Sequence, residues 1–226
     1  MSRTALAIPP PLRQGDRLNS AEFIRRWEAM PDLKRAELLG GVVHMPSPVS
    51  NAHSDIQSVA NAWLAFYAAR TPGCRTGLEG TWIMGEDDTP QPDATLRILP
   101  ERGGQSRVVG LYAQGAPELA LEVAWSSQNR DLRRKTPLYE KAGVQEYITI
   151  LVGQKKIIWR VRIGGKFEIV QPAGGLYRSR VFPGLWLDPS ALFDLDLAAL
   201  HTAVEKGTST AGHASFAARL ATILFT

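Results

Sequence analysis

Residues 118–135 read ELALEVAWSSQNRDLRRK, an apolar segment that contains an internal acid and runs directly into a basic cluster. The part LALEVA has the length and composition of a β-strand. Successive side chains of a strand point to opposite faces, so Leu119, Leu121 and Val123 share one face and Glu122 lies on the other, between two alanines. Charged side chains are rarely buried unless they are paired or bound to a metal. Glu122 is therefore the first candidate for a functional residue.

The basic cluster opens a predicted helix over about residues 131–142. Leu132, Lys135 and Tyr139 are spaced i, i+3 and i+7, so they share one helix face. Lys135 is therefore predicted to point inward with the apolar residues. A helix that packs back on its sheet has its first turns near the end of the preceding strand, which brings Lys135 toward Glu122.

The segment QPDATLRI supplies a second acid at a strand end. Asp93 follows Pro92 at the start of the predicted strand DATLRIL. Two carboxylates at adjacent strand ends can share a hard divalent cation, whose other ligands are backbone and water oxygens. Asp93 and Glu122 are the predicted pair.

The remaining pattern predicts one α/β domain. ELALEVA, the helix and EYITILV form a strand–helix–strand unit, and if its two strands are parallel the crossover should be right-handed. Gly143 is expected to end the helix as a C-cap, and Pro137 is expected to kink or restart it. The domain is predicted over residues 19–200, after an extended N-terminal arm (1–18) and before a linker with a short C-terminal helix (201–226).

Shorter patterns fill in the other elements. Ser20 is the predicted N-cap of a first helix, and a second amphipathic helix is predicted from Asn51. Gly40–Gly41 and Gly164–Gly165 are the predicted turns of two hairpins. Further predicted elements are the strand GTWIM, the strand and helical turn in GLWLDPSALF, the linker EKGTSTAGHAS and the helix FAARLATILF.

Composition narrows the class of protein without identifying it. The chain has 226 residues and a net charge of +4, which permits a polyanionic partner and does not require one. Cys74 is the single cysteine, so an internal disulfide is excluded and a reducing cytoplasm is expected. With four histidines and no cysteine pair, a structural zinc site is not expected. No signal peptide or membrane-spanning segment is predicted, and no P-loop, GxGxxG or GxSxG motif occurs.

These segments also resemble a known family. PDATLRI, PELALEVAWSSQNRDLRRKTPLYEKAGVQEYITI, VFPGLWLDPSALF and ELLGGVVHMPSPVSNAH resemble the Uma-type family of restriction endonucleases, within the restriction-endonuclease-like PD-(D/E)XK superfamily. The similarity extends over roughly residues 20–195. The combination of ExA with RDLxxKxxLYxxAGVxEY is specific, whereas a PD dipeptide alone is common.

The resemblance implies a fold, which is a mixed β-sheet flanked by helices, and a chemistry with its residues. Asp93 and Glu122 match the family's metal-binding acids, and the carbonyl of Val123 is a further metal ligand by analogy. The motif's usual lysine position, two residues after the acid, is Ala124 here. Lys135, on the following helix, matches the family's lysine.

Two residues of the N-terminal part complete the implied site. Glu37 and His53 match the acidic residue and the histidine of that region of the family. The implied activity is a Mg²⁺-dependent (or Mn²⁺-dependent) DNA endonuclease, with DNA as partner and a homodimer by analogy, because cutting both strands of a duplex requires two active sites.

More ordinary explanations of the five candidate site residues also remain open. Asp93 is also explained as a turn acid, Glu122 as part of a structural salt bridge and Lys135 as a solvated helix residue. Glu37 as an exposed strand residue and His53 as a helix or core histidine are equally ordinary. At the level of function, the alternatives are a non-catalytic nucleic-acid-binding or assembly module with the same fold, and a paired-carboxylate glycosidase.

Overall fold

The computed structural model describes residues 9–45, 48–125 and 130–222. Within these ranges, no helix is both long and apolar enough to cross a membrane. The residues described from the predicted N-terminal arm lie against the first hairpin, where Arg17 forms an isolated bridge with Val42. The helices found in these ranges are α1 (Ser20–Glu28), α2 (Asn51–Arg70), α3 (Arg130–Ala142), α4 (Pro189–Phe193), α5 (Leu197–Thr208) and α6 (Ala211–Thr222).

The strands of the same ranges form one large sheet and three small ones. The predicted hairpins, the strands around LALEVA and EYITIL, and the strand before α4 are all present. Their bounds are β1 (Glu37–Leu39), β2 (Val42–His44), β3 (Cys74–Leu78), β4 (Trp82–Ile83), β5 (Ala94–Ile98), β6 (Arg107–Val109), β7 (Tyr112–Gln114), β8 (Leu119–Ala124), β9 (Glu146–Leu151), β10 (Lys156–Ile163), β11 (Lys166–Val170), β12 (Tyr177–Arg178) and β13 (Trp186–Leu187).

The large sheet is mixed, as predicted. Its strand order is β11-β10-β9-β8-β5-β3. β8 and β9 are parallel and are joined through α3, while every other neighbouring pair of this sheet is antiparallel. The small sheets are β1–β2, β12–β13 and β4–β7–β6. The mixed sheet with flanking helices that the resemblance implies is therefore confirmed.

The two faces of β8 divide the core as the alternation predicts. Leu119, Leu121 and Val123 belong to the main apolar cluster, together with the α2 side chains of Trp63 and Tyr67. The residues between them face the α3 side, where a second cluster joins β8 and β9 to that helix; it contains Ala120, Leu138, Tyr139 and Tyr147. Glu122 shares the parity of Ala120, so the chain places its acid on the α3 side of the sheet.

The ladder between β5 and β8 ends where the predicted acids lie. Its last pair is Ala94 with Leu121, so continuing the register brings Asp93 beside Glu122. Pro92 has no N–H group and cannot continue the ladder. The next hydrogen bond is formed by a side chain instead: Asp93 Oδ2 accepts the amide hydrogen of Val123 at 2.8 Å.

The β1–β2 hairpin positions a third acid. Gly40 and Gly41 have φ values of 59° and 73°, the left-handed conformation that a two-residue hairpin turn requires. Leu38 exchanges backbone hydrogen bonds with Thr89, which fixes the hairpin against the segment before β5. Glu37 consequently lies in β1 beside the start of that strand.

The predicted N-cap of the first helix is wrong by one residue. Asn19 is the cap, and its side chain accepts the amide hydrogen of Glu22 at 2.9 Å. Ser20 begins the helix, and its hydroxyl donates to the carbonyl of Gly85 at 2.8 Å. Asparagine and serine are about equally good caps, so their order could not be settled without that distant partner.

Pro137 does not restart its helix. α3 runs as one element from Arg130 to Ala142 with the proline inside it. Pro137 and Arg133, four residues earlier, are both exposed. Because proline has no N–H group, position 137 donates no helical hydrogen bond to the carbonyl of Arg133. This carbonyl is on the solvent side of the helix, where water can donate a hydrogen bond to it.

The predicted linker EKGTSTAGHAS is also wrong, because most of it is helical. α5 crosses the expected boundary at residue 200, and only two residues separate the end of α5 from the start of α6. Gly207 serves close packing here, since a Cβ atom on it would lie 2.1 Å from the carbonyl oxygen of Gly184. His213 of α6 is buried, and its Nε2 lies 2.9 Å from the hydroxyl oxygen of Thr71. The C-terminal helices therefore pack on the domain.

Two other buried acids lie at the opposite end of β8 and β9 and serve as structural acceptors. Glu118 accepts the amide hydrogens of Ile98 and Gln105 at 2.8 and 2.9 Å. Glu146 accepts the hydroxyl of Ser179 at 2.6 Å and the amide of Arg180 at 2.8 Å. Both acids hold loops against the sheet.

Glu146 should give the protein a pH-dependent stability. Burial, opposed by its hydrogen bonds, raises the pKa of Glu146 from 4.5 to about 7. Between pH 4.5 and 7 the unfolded chain releases a proton that the folded chain keeps. The free energy of unfolding therefore falls as pH rises, by at most about 1.4 kcal/mol per pH unit.

Urea denaturation across that pH range measures the effect. Glu146→Gln should remove this part of the pH dependence, while the exposed Glu168→Gln should keep it. An unchanged pH dependence in Glu146→Gln would contradict the assignment.

Candidate active site

A cleft of about 630 Å³ opens where β8 ends and β5 begins. All five predicted site residues line it. They come from five different parts of the fold: β1, the first turn of α2, the residue before β5, the end of β8, and α3. The members are Glu37, His53, Asp93, Glu122 and Lys135.

Lys135 is the centre of the cluster. Its side chain is 5% exposed, and its Nζ lies 2.8 Å from Oε1 of Glu122 and 2.8 Å from Oε1 of Glu37. One ammonium group therefore joins β1, β8 and α3. The inward position expected from the i, i+3, i+7 spacing is confirmed, and a solvated helix lysine is excluded.

Two further contacts hold the acids in place. The hydroxyl of Tyr139 donates to Oε1 of Glu122 at 2.7 Å, one turn beyond Lys135. The backbone amide of Gln91 donates to Oε1 of Glu37 at 2.6 Å. In both acids the fixed contacts converge on the same oxygen, Oε1.

The acids outnumber the buried cation, and this shifts the pKa of each partner. Burial alone would lower the pKa of Lys135, but Glu122, Glu37 and Asp93 raise it well above its usual range. Burial raises the pKa of Glu122; Lys135 opposes this rise, whereas Asp93 and Glu37 add to it. Lys135 therefore stays charged, and the excess of negative charge raises the pKa of Glu122.

Asp93 is held by a different set of groups. Besides the Val123 amide, Oδ2 of Asp93 lies 3.6 Å from Nε2 of His53, and Oδ1 lies 3.7 Å from Nη2 of Arg35. Burial alone would raise the pKa of Asp93, but His53, Lys135 and the Val123 amide together lower it. These contacts therefore favour the ionised form of Asp93.

His53 reaches the cluster from the first turn of α2. The hydroxyl of Ser50 caps that helix by accepting the amide hydrogen of His53 at 3.3 Å. Nε2 of His53 is buried without a hydrogen-bond partner, since 3.6 Å from Asp93 exceeds hydrogen-bond distance. The ring nitrogen is thus positioned at the cleft with unused hydrogen-bonding capacity.

The sequence did not indicate Arg35 or the role of the Tyr139 hydroxyl. Arg35 lines the cleft and contacts Glu79 as well as Asp93, at 3.3 Å from Oε1 of Glu79. Only its spacing of two residues from Glu37 could have signalled it, because alternate strand residues share a face. Tyr139 was placed on the correct helix face, but its hydroxyl partner depends on the tertiary packing.

The oxygen atoms at this site suit Mg²⁺ or Mn²⁺. Among the described residues, no three His, Cys, Asp or Glu side chains form a metal-binding group by themselves. Mg²⁺ in nucleotide sites takes one or two carboxylates and completes its shell with water and substrate phosphate. Asp93 and Glu122 supply two carboxylates. The Val123 carbonyl lies on the Asp93 side of β8, because the N–H and C=O of one strand residue point the same way.

The site thus combines a mixed sheet, buried carboxylates at adjoining strand ends and a buried lysine from the helix between β8 and β9. The chain is a member of the Uma2 family, described as "Putative restriction endonuclease", whose family model matches residues 20–196. Membership supports a nuclease function.

A solved structure supports the fold. The chain is similar to the crystal structure of a "putative nuclease belonging to DUF820" from Anabaena variabilis ATCC 29413, with a TM-score of 0.58 and 18% sequence identity. The match covers 71% of this chain and 90% of that one. No curated protein matches the chain.

Removing the shared ammonium should destabilise the fold. In Lys135→Met, two buried carboxylates lose their cation, so the free energy of unfolding should fall by about 3–5 kcal/mol. Chemical denaturation at neutral pH measures the change. Adding Glu122→Gln to this variant should restore part of the stability, because one of the unpaired charges is then absent.

Lys141→Met is the matched control on the same helix, since that side chain is 80% exposed. Its expected effect is below about 1 kcal/mol. Equal losses in the two methionine variants would show that Lys135 is not paired as described.

Proposed function

We propose that this protein is a Mg²⁺-dependent or Mn²⁺-dependent endonuclease that hydrolyses DNA phosphodiester bonds. The observation that carries the proposal is the meeting of Asp93, Glu122 and the Lys135 ammonium in one cleft, with Nζ 2.8 Å from Glu122. Family membership supports the nuclease class, and the oxygen donors support the metal.

Asp93, Glu122 and the Val123 carbonyl would hold the metal ion, which supplies charge neutralisation for the phosphate and a nucleophilic water of lowered pKa. Glu37 and Tyr139 act indirectly in this proposal. Glu37 binds Lys135, and Tyr139 binds Glu122, so both keep their partners at fixed positions. Such fixed positions matter because displacements of about 1 Å cost large factors in rate.

Lys135 has the chemistry to stabilise charge on the phosphoryl oxygens or to orient the attacking water. Its pKa is raised, so it remains a cation at working pH and does not act as a base. Arg35 and His53 lie on the Asp93 side of the cleft and offer further donors to a phosphate. The cleft thus carries hydrogen-bond donors on both sides of the acid pair.

The proposal includes a homodimer for duplex cleavage, because two strands require two active sites. A non-catalytic nucleic-acid-binding module is the alternative that the experiment below must exclude. A paired-carboxylate glycosidase requires two acids with a sugar between them. Here Lys135 lies between Glu37 and Glu122, which does not favour that chemistry.

Neutralising either acid should abolish cleavage. Asp93→Asn and Glu122→Gln should each lower the cleavage rate of plasmid and single-stranded DNA by at least about 100-fold, because each removes a charged metal ligand. The assay compares Mg²⁺, Mn²⁺ and EDTA, and thermal melting verifies that each variant is folded. Asp87→Asn, at an exposed acid outside the cleft, is the matched control and should retain wild-type activity.

Calorimetric titration with Mn²⁺ separates the enzyme from a binding module. The wild type should bind the ion, and Glu122→Gln should bind it at least about tenfold more weakly. DNA binding without cleavage in either metal, together with no Mn²⁺ binding by the wild type, would establish the non-catalytic module. Cleavage that persists in folded Asp93→Asn would refute the site.

A further inference from the structure

Trp125 is an exposed aromatic side chain at the proposed active site. It directly follows β8, three residues after Glu122, and lines the same cleft as Asp93 and Lys135. The residue is 65% exposed, whereas Trp63 and Trp159 are completely buried in the core. A large apolar ring in water beside a cluster of charges requires an explanation beyond packing.

The backbone around Trp125 holds the indole in place. The amide of Gly153 donates to the carbonyl of Trp125 at 3.0 Å. A Cβ atom on Gly153 would lie 2.9 Å from Cε2 of the indole and 2.9 Å from the Trp125 carbonyl oxygen. Only glycine lets the ring lie this close to the turn after β9. The ring is therefore supported on one side and open to solvent elsewhere.

We propose that Trp125 stacks on an unpaired nucleobase next to the phosphate that the cleft cleaves, so that the preferred substrate is single-stranded or locally unpaired DNA. The inference rests on the proposed nuclease function and adds its substrate class. Bases in a duplex have their faces covered by neighbours, and an unpaired base exposes a face that an indole can cover. The phosphate attached to such a base would lie toward the acids and Lys135.

A second protein is a weaker occupant for this surface. Stable protein interfaces bury about 800 Å² on each partner. Among the described residues of the cleft, the large exposed apolar side chains are those of Trp125 and Val49, and the other side chains used above are charged or polar. Trp125 and Val49 beside donors for a phosphate match a nucleotide, which combines a flat base with an anionic phosphate.

Binding in EDTA tests the inference without cleavage. Fluorescence anisotropy is measured with a labelled 15-nucleotide oligothymidylate and with a 15-base-pair duplex. Trp125→Ala should weaken binding of the single strand by about 5- to 100-fold and change duplex binding less than about twofold. Trp125→Phe should retain most of the single-strand affinity, because its ring still stacks.

Leu111→Ala is the matched control, since Leu111 is 84% exposed and does not line the cleft. It should bind both DNAs like the wild type. Quenching of tryptophan fluorescence by the unlabelled oligothymidylate should be lost largely in Trp125→Phe. Far-UV circular dichroism verifies that the variants are folded.

The outcomes separate this inference from the proposed function. Unchanged single-strand binding in Trp125→Ala, or equal weakening for both DNAs, would overturn the stacking role, even if the wild type cleaves DNA. Selective weakening for the single strand supports stacking even if the wild type fails to cleave with Mg²⁺ or Mn²⁺, in which case the nuclease proposal fails alone.

Discussion

The salt bridges of Lys135 to Glu37 and Glu122 determine how the site is assembled. The three residues belong to β1, α3 and β8, and both distances are 2.8 Å. Burying such a cluster requires the removal of its charges from water, and replacing buried ion pairs by well-packed apolar side chains of similar volume often leaves stability unchanged or increases it. The presence of these ion pairs is therefore weak evidence that they serve to stabilise the fold. Their retention beside an open cleft is better explained by the charge they present there than by any gain in stability.

The other buried acids show what a structural carboxylate looks like in the same protein. Glu118 accepts two backbone amides and Glu146 accepts one amide and the Ser179 hydroxyl, and each acid accepts on both oxygens. Glu122 and Glu37 accept their fixed contacts on Oε1, and both face the cleft. Burial is common to all four acids, so burial alone does not distinguish a site. The distinction comes from the partners and from access to the cleft.

Regular spacing in the sequence predicted the parts of the structure that follow from local geometry. The alternation in LALEVA gave the face of Glu122, and the helical spacing of Leu132, Lys135 and Tyr139 gave the inward lysine. Contacts between distant segments were not predictable in this way. The cap at Asn19, the carbonyl partner of Ser20 and the contact of Arg35 with Asp93 all depend on tertiary neighbours. The sequence around Gly207 indicated a linker because glycine is used both for flexible chain and for close helix packing, and only the contact with Gly184 tells which applies.

One strand end carries most of the proposed chemistry because the β5–β8 ladder stops there. After Leu121, the Val123 amide has no β5 carbonyl to bind, and the Asp93 carboxylate takes its place. This substitution fixes Asp93 next to Glu122 and leaves the Val123 carbonyl on the same side. Two residues further, β8 has ended and Trp125 stands at the rim, held by Gly153. A longer β5 would pair these backbone groups and close the site, and Pro92, which has no N–H group, cannot donate to such a ladder.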